Sequence, residues 1–381
     1  MKPIAILAAI LTSLNAGSGT SAEQPSPLPF TPPGDASGNY TVATVLTGLD
    51  RPCGLAIRPG WSENVAAQLY LVERGRGRIL KMETDAPGVT QEVIGGFPAG
   101  DAKGTTTGSP TEEGVPDQGQ PLDLLFLTHS KLVVCCRLED GRQLLNVYRL
   151  PTRNSALTAD ETDHQAGPCS SGSLSADDQP RKIAGWFCGL AKSSDAVLVA
   201  AGGGSQGWIL KAPLEANRLS GLQKFIATTK QTGRVGPAGI LMNPNPRLPY
   251  LLVGQMGRID VSRDSGLAFY SPKSGRLAMH ISTGLHDLVD LSYSQPEGHL
   301  YGIDLAWQAV SDGGVYRLDD ALLAGKPTCQ AMKIAPVQRP TSMAFGPDGS
   351  LYVTAWGPAR AETNANPGQQ AGVLLKISGQ W

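Results

Sequence analysis

One feature of this 381-residue chain limits its fold more than any other: a short apolar strand recurs six times. The copies are LYLVE 69–73, LVVCC 132–136, VLVAA 197–201, LLVGQ 251–255, LYGID 300–304 and LYVTA 351–355, and their first residues lie 63, 65, 54, 49 and 51 positions apart. Self-similarity at such a period marks a solenoid, a propeller or an array. Each copy follows an apolar segment that leaves a turn: CGLAI 53–57, LDLLFL 122–127, FCGLA 187–191, AGILM 238–242, DLVDLSY 287–293 and TSMAF 341–345. Each is followed by a third segment in which polar and apolar residues alternate, as in GRILKM 77–82, GWILKA 207–212 and GVLLKI 372–377. Alternation with a period of two reads as a half-buried strand.

A fourth segment closes five of the units: EVIGG 92–96, KIAGW 182–186, KFIAT 224–228, LAMHIS 277–282 and AMKIA 331–335. The sixth unit ends at its third strand. TVATVL 41–46 precedes the first unit in the same phase and supplies the missing strand. The expectation is an all-β, six-bladed β-propeller whose ring is closed by an N-terminal strand, about residues 41–46, completing the last blade. Closure leaves only short, protected edges. No single blade can bury both faces, so residues 39–381 form one domain. Hairpin turns such as PDGS 347–350 and SDGG 311–314 argue against a parallel β-helix.

Composition agrees with a turn-rich ring: 46 Gly and 29 Pro supply the bends. With 32 Lys+Arg against 33 Asp+Glu the net charge is −1, which excludes the electrostatic footprint of a nucleic-acid binder or a polybasic membrane protein. The N-terminus reads as an export signal over residues 1–22: Lys2, an apolar run from Ile4 to Leu14, then small residues at Thr20-Ser21-Ala22. The run is too short for a membrane span. A Pro-rich linker occupies residues 23–38. Export permits disulfides, and the six cysteines Cys53, Cys135, Cys136, Cys169, Cys188 and Cys329 lead us to expect one or two, with no pairing assigned. Three insertions interrupt the period, at 98–119, 152–180 and 357–371, the first and last on one face of the ring. Asn39-Tyr40-Thr41 is a glycosylation sequon.

Blade one, GLDRPCGLAIRPG followed by LYLVERGRGRILKM, and blade six, RPTSMAFGPDGSLYVTAWG followed by GVLLKIS, resemble the blades of a six-bladed propeller superfamily. It includes glucose/sorbosone dehydrogenase-like, gluconolactonase-like and NHL-type proteins. The opening is most similar to the sugar-dehydrogenase-like group, through Leu69-Tyr70-Leu71-Val72-Glu73-Arg74. The resemblance implies that loops before each first strand and after each second strand meet at one mouth of the central channel, where any activity resides.

Projecting the repeat onto that mouth selects the candidate residues. His286, Asp287, Arg74, Asp304 and Arg339 are the catalytic candidates. Arg51, Glu73, Arg137, Arg258, Trp307 and Trp356 form a polar and aromatic collar suited to stacking on and hydrogen-bonding a small polar ligand or glycan. Glu73, Asp123 and Asp304 are the candidate ligands of a calcium ion, which wants convergent carboxylates. No nucleophile–base pair or zinc-spaced cluster stands out, so the leading expectation is an exported monomeric binding or scaffold module for a small polar ligand, glycan or protein. The alternative implied by the resemblance is a sugar or aldehyde dehydrogenase using pyrroloquinoline quinone, or a metal-dependent lactonase-like hydrolase. The dehydrogenase pattern implies a catalytic His at the entrance of blade two, where this chain has Gln120-Pro121-Leu122-Asp123; the His at a comparable position is His286, in blade five.

Overall fold

In a computed structural model of the chain, the described residues are 29–60, 66–99, 119–152, 155–170, 187–203, 206–295, 298–358 and 372–381. The export signal, the start of the linker, the segment 182–186 and most of the insertions at 98–119 and 357–371 lie outside them.

Six sheets, antiparallel but for a two-residue parallel strand at the outer edge of two of them, form a six-bladed propeller. The innermost strands are Pro52–Ile57, Gln120–Thr128, Leu190–Lys192, Pro237–Met242, Leu288–Tyr293 and Pro340–Phe345. The second strands are Gln68–Glu73, Lys131–Arg137, Ala196–Ala201, Leu251–Gln255, Leu300–Asp304 and Leu351–Ala355. In blade six the order is Tyr40–Leu49, Gly372–Gly379, Leu351–Ala355, Pro340–Phe345, so the N-terminal strand does close the ring. Its register runs antiparallel from Tyr40 opposite Gly379 to Leu49 opposite Gly372.

Period-two alternation sends successive side chains into opposite seams between blades. Leu69 and Leu71 pack with Leu46, Tyr352 and Leu374 of blade six. Their neighbours Tyr70 and Val72 pack with Phe126, Leu132 and Val134 of blade two. The pattern repeats at the seams between blades two and three, three and four, four and five, and five and six. Each fully buried Leu, Ile or Val contributes about 1.5–3 kcal/mol. That burial replaces a single central core.

Three features depart from the sequence reading. The outer strand of blade two is His164–Ser170, inside the 152–180 stretch, and it pairs antiparallel with Arg142–Arg149. The linker is partly built into the ring: Gly34–Asp35 pairs in parallel with Met332 and Lys333 of blade five, Thr328 Oγ1 donates to the Pro29 carbonyl at 3.5 Å, and Gln330 Nε2 donates to the Pro32 carbonyl at 3.2 Å. The expected disulfides are not formed, since all six cysteines are free thiols. Five are buried and act as small apolar residues. Cys53 and Cys136 lie in the seam of blades one and two, Cys135 and Cys188 in that of blades two and three, and Cys329 in that of blades four and five. Among the described residues no helix is long and apolar enough to cross a membrane.

The innermost strands crowd at one level. Gly54, Asp123, Gly189, Gly239, Asp290 and Ser342 occupy the same place in their blades, two residues beyond Pro52, Pro121, Phe187, Pro237, Leu288 and Pro340. A Cβ on Gly239 would lie 2.7 Å from the Asp290 Cα, and one on Gly54 2.8 Å from the Asp123 Cα. Gly239→Ala therefore forces backbone apart and lowers unfolding stability by about 1–3 kcal/mol in urea titrations. Gly221→Ala, with nothing within 4 Å of its new methyl, changes it by less than about 0.5 kcal/mol.

Candidate functional site

The channel mouth is built where each first strand begins and each second strand ends, as the register pairs Pro52 with Glu73, Gln120 with Arg137, Pro237 with Gln255, Leu288 with Asp304 and Pro340 with Ala355. The acids at second-strand ends serve the loop entering their own blade. Glu73 is fully buried; it accepts from the Asp50 N–H at 2.8 Å, Arg76 Nη1 at 2.8 Å and Arg78 Nε at 2.6 Å. Asp304, equally buried, accepts from the N–H groups of His286 at 2.8 Å, Asp287 at 2.7 Å and Ala306 at 3.0 Å. Burial pushes its carboxyl above the usual range, against the pull of those donors. Gln255 does the same for blade four, its Nε2 donating to Thr232 Oγ1 and to the Arg234 carbonyl, both at 2.9 Å.

Asp123 is elsewhere, on the axis. It lines, with Asp290, Cys53, Cys188, Thr341 and Ser342, a cavity of about 20 Å³, room for one water. Asp123 Oδ2 accepts from the Leu190 N–H of blade three at 3.0 Å. Asp290 Oδ2 accepts from the Met343 N–H and Ser342 Oγ of blade six, both at 2.9 Å. Burial, with the Asp290 charge added, raises the Asp123 carboxyl well above its usual range, and burial pushes Asp290 up to about 6. Sequence reasoning missed Asp290, although it holds the same place in its blade as Asp123.

Next to the cavity, which Phe187 also lines, aromatic rings of three blades meet. Phe187 of blade three lies 5.7 Å from Trp356, and Trp356 lies edge-on to Trp307 at 6.4 Å. Trp356 Nε1 donates to the Pro52 carbonyl at 3.0 Å, and the Arg339 guanidinium lies over the Trp307 ring at 5.8 Å. Both tryptophans keep part of their surface open to solvent. Nothing in the repeat marks Phe187, since the equivalent residue of its neighbours is Pro.

The candidates thus fall into separate groups. On the blade-five side His286 Nε2 contacts Asp312 Oδ2 at 3.0 Å, which also pairs with Arg263 Nη2 at 3.0 Å. Asp287 Oδ2 accepts from the Trp307 N–H at 2.6 Å, joining His286, Asp287, Asp304, Trp307 and Arg339 in one chain of contacts. Arg74 belongs instead with Arg51 and Arg137 between blades one and two. It is 2% exposed, and burial lowers its guanidinium to about 10, with the Arg51 and Arg137 charges adding. Arg258 pairs with Asp260 at the rim, at 2.6 Å. Glu73, Asp123 and Asp304 do not converge, and among the described residues no three His, Cys, Asp or Glu side chains do so.

No protein-family model matches the sequence, and no curated protein matches it. Solved structures do. An oxidoreductase described as a glucose dehydrogenase, from Thermus thermophilus, is 16% identical over 89% of this chain and 100% of its own, with a TM-score of 0.54. A second glucose dehydrogenase is 17% identical over 89% and 100%, with a TM-score of 0.53. A protein described as a gluconolactonase is 12% identical over 91% and 94%, with a TM-score of 0.50. The likeness is one of fold. What this propeller does at its mouth must be read from its own side chains.

One side chain there titrates near neutrality. Burial pushes Asp287 up to about 7, with the Asp304 and Asp264 charges adding, and its Oδ1 is buried without a hydrogen-bond partner. Its folded carboxyl binds a proton more tightly than the unfolded one, so the destabilising charge is absent below about pH 4 and fully present above about pH 7. His280, held down to about 4, acts in the opposite sense, and only below about pH 6.5. From pH 6.5 to 8 the urea midpoint falls, and Asp287→Asn flattens that slope.

Proposed function

We propose that this chain is an exported binding module that takes a small polar ligand, a glycan or a protein surface on its channel mouth. The observation that carries the reading is that the ionisable groups best placed for chemistry are already engaged in holding the fold. Glu73 and Asp304 tie down entrance loops, and the His286 ring contacts Asp312, which also pairs with Arg263. What remains partly open to solvent at the mouth is the pair Trp307 and Trp356 with Arg339 over the Trp307 ring. Partly exposed indole faces beside a guanidinium suit stacking and hydrogen bonding to a polar ring.

An enzyme is the second reading, and Asp287 favours it: a carboxyl pushed up to about 7 suits general acid–base work. The residues do not fit the dehydrogenase's pyrroloquinoline quinone. Its carboxylates call for cations beside the His; the Arg51, Arg74 and Arg137 group lies in blades one and two, and of the cations on the His286 side Arg263 is paired with Asp312 and Arg339 donates to the Gly357 carbonyl. Nor do Glu73, Asp123 and Asp304 fit a lactonase metal, being spent on separate donors in three places.

Protein reconstituted with pyrroloquinoline quinone and calcium, then assayed with aldoses and an artificial electron acceptor, is expected to show no turnover. Robust turnover overturns the binding reading. In a calorimetric screen of sugars and small polar metabolites, a ligand is expected whose affinity falls about tenfold or more in Trp307→Ala, the loss of a buried aromatic contact. The export reading predicts a mature N-terminus at Glu23, read by mass spectrometry of the secreted chain; an intact Met1 terminus sinks it.

A further inference from the structure

Strain in this backbone collects at the mouth. Among the described residues seven other than glycine have a positive φ. Ala216, Asn217 and Ala324 sit in tight hairpin turns, where such angles are ordinary. The other four, Arg51, Arg263, Ala306 and Arg339, lie in loops of the channel mouth. A left-handed backbone crowds Cβ against the following carbonyl, and residues held that way cluster at functional sites.

Two of the four hold equivalent places. Arg51 (φ 49°) and Arg339 (φ 51°) each precede the proline that opens a first strand, Pro52 in blade one and Pro340 in blade six. Blade four makes the same turn with Gly236 (φ 69°) before Pro237. Glycine meets that angle without strain, so the turn itself does not call for arginine. What arginine adds is its side chain.

Both turns are tied to one indole. The Trp356 N–H donates to the Arg339 carbonyl at 3.0 Å, and Trp356 Nε1 donates to the carbonyl of Pro52, the residue after Arg51, also at 3.0 Å. Thr341 Oγ1 donates to the same Pro52 carbonyl at 2.8 Å. The two arginines therefore border the partly exposed Trp307–Trp356 pair from neighbouring blades. The Arg339 guanidinium lies over the Trp307 ring, and the Arg51 side chain is 23% exposed. Arg51 Nε meets Asp50 Oδ1 at 3.2 Å, and Arg339 Nη1 donates to the Gly357 carbonyl at 3.4 Å. Neither contact saturates a guanidinium, which carries five N–H donors. Two other acids of the mouth serve other cations, Glu73 holding Arg76 and Arg78 and Asp312 holding Arg263.

We propose that Arg51 and Arg339 make the mouth selective for a sugar ring that carries an anionic group, a carboxylate or a phosphate. The inference rests on the binding reading above and narrows its ligand class. The ring covers the indoles, and the anion accepts hydrogen bonds from the guanidiniums beside them. Such charge-assisted bonds are about twice as strong as neutral ones, and the planar guanidinium fork matches both oxyanions.

The test is calorimetric titration of the full-length chain with D-glucose, D-glucuronate and D-glucose 6-phosphate. At least one of the two anions is expected to bind about tenfold or more tightly than glucose, with a gap that narrows as salt is raised. Arg51→Gly and Arg339→Gly are each expected to remove most of that gap while the urea midpoint does not fall, because glycine suits the left-handed turn. Arg149→Ala, on the exposed surface of blade two, leaves the gap unchanged. Glucose bound as tightly as both anions overturns the inference and leaves the binding reading standing. A gap that survives intact in either glycine variant overturns it too, the anion then being held elsewhere. Binding of none of the three overturns it as well, and the binding reading then stands or falls on the wider screen.

Discussion

The close approach of six innermost strands around one axis is the constraint on which the rest of this propeller depends. At that level each blade backs directly onto the next, main chain to main chain, and the side chains there are small or acidic. Gly189 faces the Ala238 carbonyl, Gly239 the Asp290 backbone and Gly54 the Asp123 backbone. Where the residue is Asp, its carboxylate reaches across the seam to a backbone N–H of the following blade, as Asp123 does to Leu190 and Asp290 to Met343. The ladder is irregular at this level in five of the six blades, with register shifts between Cys53 and Leu55, Pro121 and Asp123, Pro237 and Ile240, Leu288 and Asp290, and Pro340 and Ser342. Such bulges turn N–H groups away from the ladder, and Asp290 binds one beside the bulge of blade six, whereas in blade three, where the ladder is regular, Asp123 binds the N–H of the first innermost-strand residue, Leu190.

The same logic explains the mouth. A loop entering a blade leaves backbone N–H and C=O groups unpaired, and the last residue of that blade's second strand is within reach of them. Glu73, Gln255 and Asp304 are three chemical solutions to this one problem. A carboxylate serves where N–H groups must be held, and an amide serves where a carbonyl must be held. Their polarity and burial, which give them the look of a catalytic or metal set in the sequence, follow from this architectural duty.

Much of the fold was legible because the strand repeat states it directly: Leu-Tyr-Val-type second strands, Pro-led entrances and the orphan strand near residues 41–46 together specify six blades and their closure. The outer strand of blade two was not legible. HQAGPCS, residues 164–170, contains a Gly-Pro step and a register shift between Ala166 and Cys169, so no period-two pattern advertises it. The mouth residues were legible by position, since the repeat places Arg51, Glu73, His286, Asp304 and Arg339 at one end of the ring. Their grouping was not, because partners come from loops of different blades. Trp356 reaching Phe187 of blade three and Pro52 of blade one is a long-range contact that no local spacing encodes.

The tightness of the axis bears on the proposed binding reading. The cavity beside Asp123 and Asp290 has room for about one water, so a sugar-sized molecule does not fit there between the innermost strands. On that reading contact falls at the mouth, around Trp307, Trp356 and Arg339. The crowding of the innermost strands desolvates the two axial carboxyls, and that burial raises both. The neutral overall charge of the chain gives a ligand no long-range steering, so selectivity rests on short-range contacts. On the proposed reading the partly exposed Trp307 and Trp356 supply apolar contact and Arg339 supplies directional hydrogen bonds, a pairing that suits a polar ring better than a compact ion.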